Sequence, residues 1–269
     1  MNILILGDIM GKSGREVLKK NLNNLIEENK IDFVVANGEN AADDGKGITQ
    51  EIANELLSMG IDVITSGNHV WDKKEIIELV EKNNKVLRPA NFVEGSPGKG
   101  FGIYFSKKHK YKIGVINLIG NVFMRKSDDV FKVASELKKK IKLKKDVDFL
   151  VVDFHGEITS EKMAIGHFFD GMATLVIGTH THVPTNDSRI LEKGTAYQTD
   201  AGMCGVYNSV IGMNKEYSLN KFLKNNKGIR EPSEGEASIC GAIVNADTKT
   251  GLAKNVRSFI SGGDLQNKN

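Results

Sequence analysis

Eight residues able to hold a metal ion or move a proton stand at the ends of apolar runs: Asp8, Glu39, Asn40, Asn68, His69, His155, His180 and His182. The runs occupy residues 3–6, 33–36, 62–65, 149–154 and 174–177, and each stops in a short loop rich in Gly, Asn, His or acidic residues. If they are parallel or mixed strands, carboxylates, amides and imidazoles converge on one sheet edge. Such a mixed donor set suits Mn, Fe or Zn better than Mg alone. Two ions about 3.5–4 Å apart are a common device for phosphoester hydrolysis, and a paired site needs a carboxylate that can touch both. Glu39 is the candidate for that bridge, because it lies between Asp8 and Asn68 in strand order and has two oxygens.

Taken singly, each residue has a plainer reading. Asp8 and Asn40 precede helices and suit N-caps, and His155 at a strand end suits a structural hydrogen bond. His180 and His182 lie two apart, so on one strand edge they face the same way. Coincidence across the set favours chemistry, since four of the six histidines fall in these loops and a motif gains weight from its structural setting. His109, among lysines, and His167, in a predicted helix, read as solvated or structural.

The elements that must position these residues follow from hydrophobic periodicity. Residues 3–6 lead through Gly7-Asp8 into a helical pattern carried by Val17, Leu18, Leu22, Leu25 and Ile26. The unit recurs after residues 33–36, with a helix over 49–59, and after 62–65, with Ile76, Ile77 and Val80 marking the next helix. Continuous apolar strands alternating with helices predict an α/β layered sheet whose ligands sit off the carboxyl ends of the strands. Further on, the pattern predicts a hairpin at 102–105 and 111–118, helices over 128–141 and 161–169, and antiparallel strands within 194–207 and 239–244. No internal repeat or linker is visible, so residues 1–269 read as a single domain with 262–269 as a frayed tail.

Composition removes several classes. At 269 residues, 40% hydrophobic and 26% charged, the chain reads as globular rather than disordered. A net charge of +3 names no polyanionic partner, and the basic run from Lys138 to Lys145 lacks interleaved aromatics and reads as a solvated helix end. Cys204 and Cys240 are too few and too far apart for a disulfide framework. The N-terminus lacks both a basic signal-peptide region and the length to span a bilayer. A cytoplasmic protein with no membrane partner is expected. The stretch Gly7-Asp8-Ile9-Met10-Gly11-Lys12-Ser13 lies where a phosphate-cradling loop belongs, yet it is one residue short of that motif and Asp8 would put negative charge in the anion nest. Trp71 reads as a pocket wall, a base-stacking platform or a core residue.

Together, Gly7-Asp8, Gly38-Glu39-Asn40, Gly67-Asn68-His69, His155 and Gly178-Thr179-His180-Thr181-His182 resemble the blocks of the calcineurin-like metallophosphoesterases. Within them the chain resembles the bacterial YmdB-like group over nearly its whole length, including Arg88-Pro89-Ala90-Asn91, Val152-Asp153-Phe154-His155 and Thr199-Asp200-Ala201-Gly202-Met203. Two features depart from the wider superfamily and are shared by the group: Met10 where His is usual, and Glu39 where the bridge is usually Asp. The resemblance implies a four-layer α-β-β-α sandwich with two mixed central sheets, the second supplied by the second half of the chain. It implies two metal ions, Fe or Mn with Zn as a further option. Asp8, Glu39, Asn40 and His182 would hold one, and Glu39, Asn68, His155 and His180 the other. It also implies hydrolysis of a small phosphoester, a cyclic nucleotide such as 2′,3′-cAMP, by in-line attack of water with His69 as general acid. The alternatives are a phosphomonoesterase or other phosphodiesterase using the same site, and a regulator that binds RNA or a partner. A homo-oligomer is compatible with each.

Overall fold

The computed structural model describes residues 1–225 and 227–265, and in it the first three strand, loop and helix units build one edge of a sheet. β1 (Asn2–Ile9), β2 (Phe33–Asn37) and β3 (Val63–Thr65) run parallel, joined by α1 (Gly11–Glu28) and α2 (Gln50–Ser58), and α3 (Ile76–Lys82) follows β3. Helix α2 starts where Thr49 accepts a hydrogen bond from the Ile52 N–H. A cap of this kind is worth about 0.5–2 kcal/mol against Ala.

The second sheet holds β4 (Phe101–Phe105), β5 (Lys112–Ile119), β6 (Phe149–His155), β7 (Leu175–Thr179), β8 (Arg189–Ile190) and β9 (Ala196–Gln198), in the spatial order β4-β5-β6-β7-β9-β8. The predicted hairpin is the antiparallel pair β4 and β5, and α4 (Val130–Lys140) and α5 (Thr159–Phe168) cross between β5, β6 and β7. The chain then returns to the first sheet. β10 (Met203–Cys204) pairs parallel with the end of β1, while β11 (Ile239–Ala246) and β12 (Ala253–Ser261) extend that sheet antiparallel.

Two expectations are corrected here. The second half of the chain does not simply supply the second sheet, because its last three strands complete the first. The antiparallel reading holds for 239–244, since β11 lies antiparallel to both β1 and β12, but only in part for 194–207: β9 is antiparallel to β8 yet parallel to β7, and β10 is parallel to β1. The physical reason is the central place of β1. Only one of its edges is satisfied by β2, and the buried N–H and C=O groups of the other need strands from elsewhere in the chain. Residues 262–265 begin the tail that the sequence reads as frayed. The Gly262 carbonyl accepts from Ser238 Oγ at 2.8 Å, and Gly263–Leu265 forms a 3₁₀ turn. The remainder of that expectation, residues 266–269, lies outside the described residues.

Side-chain alternation produces three apolar layers, and hence the four-layer α-β-β-α sandwich with two mixed sheets. Leu4, Leu6, Val34, Ala36 and Ile64 pack with residues of α1, α2 and α3. Ile3, Ile5, Phe33, Val35 and Val63 pack with Val115, Phe149, Val151, Leu175 and Ile177 between the sheets. Val152, Phe154 and Val176 pack with residues of α4 and α5. Each of the Val, Leu, Ile and Phe side chains among them contributes roughly 1.5–3 kcal/mol when fully buried, which fixes strand register strongly.

At the carboxyl ends of the strands, the positions facing the other sheet turn polar. Asn37 continues the face of Phe33 and Val35, Thr65 that of Val63, Asp153 and His155 that of Phe149 and Val151, and Thr179 that of Leu175 and Ile177. β1 reaches the same result through a bulge. Its register against β2 shifts between Leu6 and Asp8, so Asp8 joins the face of Ile3 and Ile5 while Ile9 returns to the helix side. Gly7 occupies the shift, where a Cβ would stand 2.0 Å from the Gly202 carbonyl oxygen.

Candidate metal centre

The residues singled out in the sequence meet at this polar edge between the sheets. Asp8 is fully buried on β1, Glu39 and Asn40 follow β2, Asn68 and His69 follow β3, His155 ends β6, and His180 and His182 follow β7. His155 Nε2 lies 3.0 Å from Glu39 Oε1, 3.1 Å from Asn68 Oδ1 and 3.0 Å from His180 Nδ1. Ligand atoms of Glu39, His155 and His180 all fall within 4.8 Å of one another. On the other side of Glu39, the Asn40 amide nitrogen lies 3.3 Å from Glu39 Oε1 and 3.1 Å from His182 Nε2. Asp8 Oδ1 is 3.8 Å from both His155 Nδ1 and His182 Nε2, and among the described residues it has no hydrogen-bond partner despite complete burial.

This donor set fits metal ions. A ring nitrogen carries one proton or one lone pair, so three polar atoms around His155 Nε2 exceed what hydrogen bonding can use. The outer nitrogens agree. His182 Nδ1 donates to the Ile211 carbonyl at 2.8 Å and His180 Nε2 to the Glu157 carboxylate at 3.0 Å, which leaves the inner nitrogen of each ring with its lone pair toward the centre. An orphaned, buried carboxylate oxygen on Asp8 completes an arrangement that calls for a cation.

The electrostatics point the same way. Burial pushes the Asp8 carboxyl up to about 6, against the pull of the His182 and His155 charges. At Glu39 burial is outweighed by the charge and hydrogen bond of His155, which hold that carboxyl down at about 2. Burial also opposes the charged form of His155, yet Glu39, Asp8 and Asp153 hold its imidazole up at about 9. His180 goes the opposite way, pushed down to about 3 by burial and by the neighbouring His155 charge. Positive charge is thus favoured at one place, where a proton and a metal ion compete for the same atoms.

Several sequence readings change in detail. His180 and His182 do not share a strand edge: β7 stops at Thr179, and the two residues take left-handed φ values of 101° and 66°. Such strained backbone persists only where its surroundings hold it. Here Asp200 accepts from the Thr181 N–H at 3.1 Å and from its hydroxyl at 2.7 Å, pinning the residue between the two histidines. Neither Asp8 nor Asn40 is a helix cap, since those places belong to Met10 and Thr49. Trp71 packs on the helix-side core, 6.0 Å from the Phe92 ring. Cys204 and Cys240 are buried thiols whose pKa values burial pushes up, that of Cys240 to about 11.

His69 stands beside the cluster, with its N–H donating to Glu39 Oε2 at 2.9 Å. Its Nδ1 lies 2.8 Å from Asp72 Oδ2, and Arg125 donates to the other oxygen of Asp72 at 3.1 Å. Sequence reasoning missed Asp72 and Arg125. The three-residue spacing from His69 to Asp72, across the 3₁₀ turn Val70–Asp72, was the available signal for the first; the second had none. Also missed were the roles of Asn37, Asp153, Thr179, and the ion pair of Lys162 with Asp200.

Gly67 leaves room for the cluster. A Cβ at this position would stand 2.2 Å from His155 Cδ2 and 2.5 Å from Glu39 Oε2. Gly67→Ala is therefore expected to displace both side chains and to lose bound metal while the helices remain folded. Elemental analysis beside far-ultraviolet circular dichroism checks this, and a full metal complement in the variant would contradict it.

The profile of a family described as YmdB-like protein matches residues 4–259. The chain is 43% identical over 265 residues, covering 98% of each sequence, to the 2′,3′-cyclic-nucleotide 2′-phosphodiesterase of Bacillus subtilis (strain 168). It superposes with a TM-score of 0.89 and 36% identity on a crystal structure described as a novel phosphatase of Mycoplasma pneumoniae, covering 98% of this chain and 94% of that one. A Staphylococcus aureus protein named as a candidate 5′-nucleotidase shares the fold alone, with a TM-score of 0.59 and 15% identity over 100% of this chain and 55% of that one. A match over nearly the whole length, joined to carboxylates, amides and imidazoles meeting at the edge of a metallophosphoesterase sandwich, leads to one conclusion: the chain belongs to the YmdB-like protein family.

Proposed function

We propose that this chain is a dinuclear-metal phosphodiesterase that hydrolyses cyclic nucleotides such as 2′,3′-cAMP in the cytoplasm. The observation that carries the reading is the convergence on Glu39 of inward-facing imidazole nitrogens and a buried Asp8 oxygen without a hydrogen-bond partner among the described residues. Substrate class comes from the Bacillus subtilis relative, 43% identical along the whole chain. Asp8, Glu39, Asn40 and His182 hold one ion in this reading, and Glu39, Asn68, His155 and His180 the other. Met10 in place of an imidazole makes the first of these oxygen-rich and hard, which favours Fe or Mn over Zn. Two buried, unpaired thiols suit a reducing compartment, and no helix among the described residues is long and apolar enough to cross a membrane.

When bound, the ions supply charge to polarise the phosphoryl oxygens and to acidify a water. The chain's own residues do the rest. Glu39 sits between the two donor groups, and its second oxygen holds the His69 N–H in place. Asp72 accepts from His69 Nδ1, so in the imidazolium form the other ring N–H is the one passed to the departing ribose oxygen, the ring becoming neutral with its Nδ1–H still on Asp72.

Phosphorus-31 NMR of 2′,3′-cAMP with the stripped protein, then with Mn²⁺ or Fe²⁺ restored, tests the reading. Conversion is expected only with metal, and loss of the 2′ ester leaves the 3′-monophosphate. No conversion with two ions bound per chain would move the assignment to another phosphoester. A protein that takes up no metal would overturn the reading of the centre.

A further inference from the structure

Each of the three histidines at the centre has its outer nitrogen held by a different kind of group. For His182 it is the Ile211 carbonyl and for His180 the Glu157 carboxylate, both of which accept from the ring. For His155 it is the Thr179 hydroxyl, 3.0 Å from Nδ1. A hydroxyl can donate or accept, so Thr179 by itself leaves open which His155 nitrogen carries the hydrogen. The question matters most at this ring, whose Nε2 meets Glu39, Asn68 and His180 together.

Asp153 answers it. Its carboxylate is 1% exposed and lies two residues before His155, on the same face of β6. Oδ2 accepts from Thr65 Oγ1 at 2.5 Å and from Asn37 Nδ2 at 3.3 Å, both residues of the opposite sheet. Oδ1 is served by Thr179 Oγ1 at 2.7 Å, with no second donor among the described residues. Turning the Thr179 hydrogen toward His155 would strip that buried oxygen of its donor, an arrangement folded proteins avoid. The hydrogen therefore points at Asp153, and the Thr179 oxygen presents a lone pair to His155.

The Asn37 amide nitrogen also lies 3.4 Å from His155 Nδ1. Its carbonyl is fixed by the Glu39 N–H at 3.1 Å, so the amide is not free to turn. Its two hydrogens have Asp153 Oδ2 and the Ser66 carbonyl, at 3.3 and 3.4 Å, to serve, and the Thr179 hydroxyl oxygen also lies 3.4 Å away as an acceptor. His155 Nδ1 is left to donate, and Thr179 is the acceptor.

We propose that Asp153 and Thr179 form a directional relay that places the His155 hydrogen on Nδ1 and turns the Nε2 lone pair toward the metal. Asp153 is a positioning residue, acting on His155 through Thr179. Because Thr65 and Asn37 bind the same carboxylate from the first sheet, the relay also ties the ring's orientation to the packing of one sheet on the other. Partners of this kind behind a ligating histidine typically govern about 10–100-fold in metal affinity.

The relay rests on His155 being a ligand, and the test keeps the two ideas apart. Long-range ¹H–¹⁵N spectra of the zinc-loaded wild-type protein, labelled at histidine, are expected to show a protonated Nδ1 and a metal-shifted Nε2 for His155. Calorimetric zinc titration is expected to show Thr179→Val weakened about 10–100-fold at one site, with Thr179→Ser, which keeps the hydroxyl, near wild type. Thermal unfolding of the metal-free variants checks that both are folded. A wild-type ring protonated at Nε2, or a folded Thr179→Val with unchanged affinity, overturns the relay while leaving His155 a ligand. A wild-type protein that binds no zinc overturns the ligand reading and the relay together. Should Thr179→Val not fold, the wild-type spectrum alone decides.

Discussion

His69→Ala is expected to lower turnover of 2′,3′-cAMP by about 10²–10⁴-fold while leaving the metal content unchanged, the range typical for loss of a general acid. Two contacts support separating the effects. The link of His69 to Glu39 is through its backbone N–H, at 2.9 Å, and alanine keeps it. The side chain meets Asp72 instead, 2.8 Å from Nδ1, and Asp72 is held in turn by Arg125. The imidazole is thus oriented by a carboxylate outside the metal cluster, which leaves one ring nitrogen for the proton that a departing alkoxide needs.

The leaving group gives a sharper form of the same experiment. A ribose oxygen departs as a strong base and gains much from protonation, whereas a nitrophenolate needs little help. His69→Ala should therefore retain far more activity on a nitrophenyl phosphodiester than on the cyclic nucleotide. Equal losses on both substrates, or loss of metal in step with activity, would make His69 a ligand or a structural residue. Elemental analysis beside the two rate measurements separates these outcomes.

The positions of the proposed ligands were legible because each follows an apolar run and stands by a Gly or His that a plain strand end does not need. Gly38-Glu39-Asn40 and Gly67-Asn68-His69 show this best. What joins them was not legible. Asp8 has the parity of Leu4 and Leu6 in the sequence, so strict alternation aims it at the helices; only the bulge at Gly7 turns it to the other sheet. That bulge depends on the Gly202 carbonyl, far along the chain and in a different part of the sequence. His180 and His182 looked like alternate positions of a strand, yet their left-handed backbone is set by Asp200 and not by local preference. The contact of Asn37 with Asp153 spans 116 residues and links two sheets whose pairing hydrophobic periodicity does not encode. Periodicity gave each strand and its buried faces, and a single chain carries no comparable signal for which strand lies against which.

The second large effect concerns the ion pair beneath the histidine turn. Lys162 and Asp200 are each 1% exposed, and Nζ lies 2.6 Å from Oδ2. Lys162→Met fills much of the same volume but leaves a buried carboxylate without its counter-charge, which typically costs 3–5 kcal/mol. For a chain of this length, melting should fall by roughly 6–20 °C at about 2–4 °C per kcal/mol. Asp200 retains donors from Thr181 and Gly202, so it is expected to stay in place at reduced stability. Asp200→Ala removes the other partner and with it the anchor of Thr181, so it should also loosen the turn that carries His180 and His182. Metal affinity is therefore expected to fall more in Asp200→Ala than in Lys162→Met, even where their melting temperatures are alike. The double variant discriminates further: with both charges gone, its loss should be clearly smaller than the two single losses added together, because neither charge is left stranded. Additive losses, or single variants within about 1 kcal/mol of wild type, would reduce the pair to the weight of an exposed salt bridge. The strain at the two histidines would then need another support, and calorimetric unfolding with and without metal measures both effects in one set of proteins.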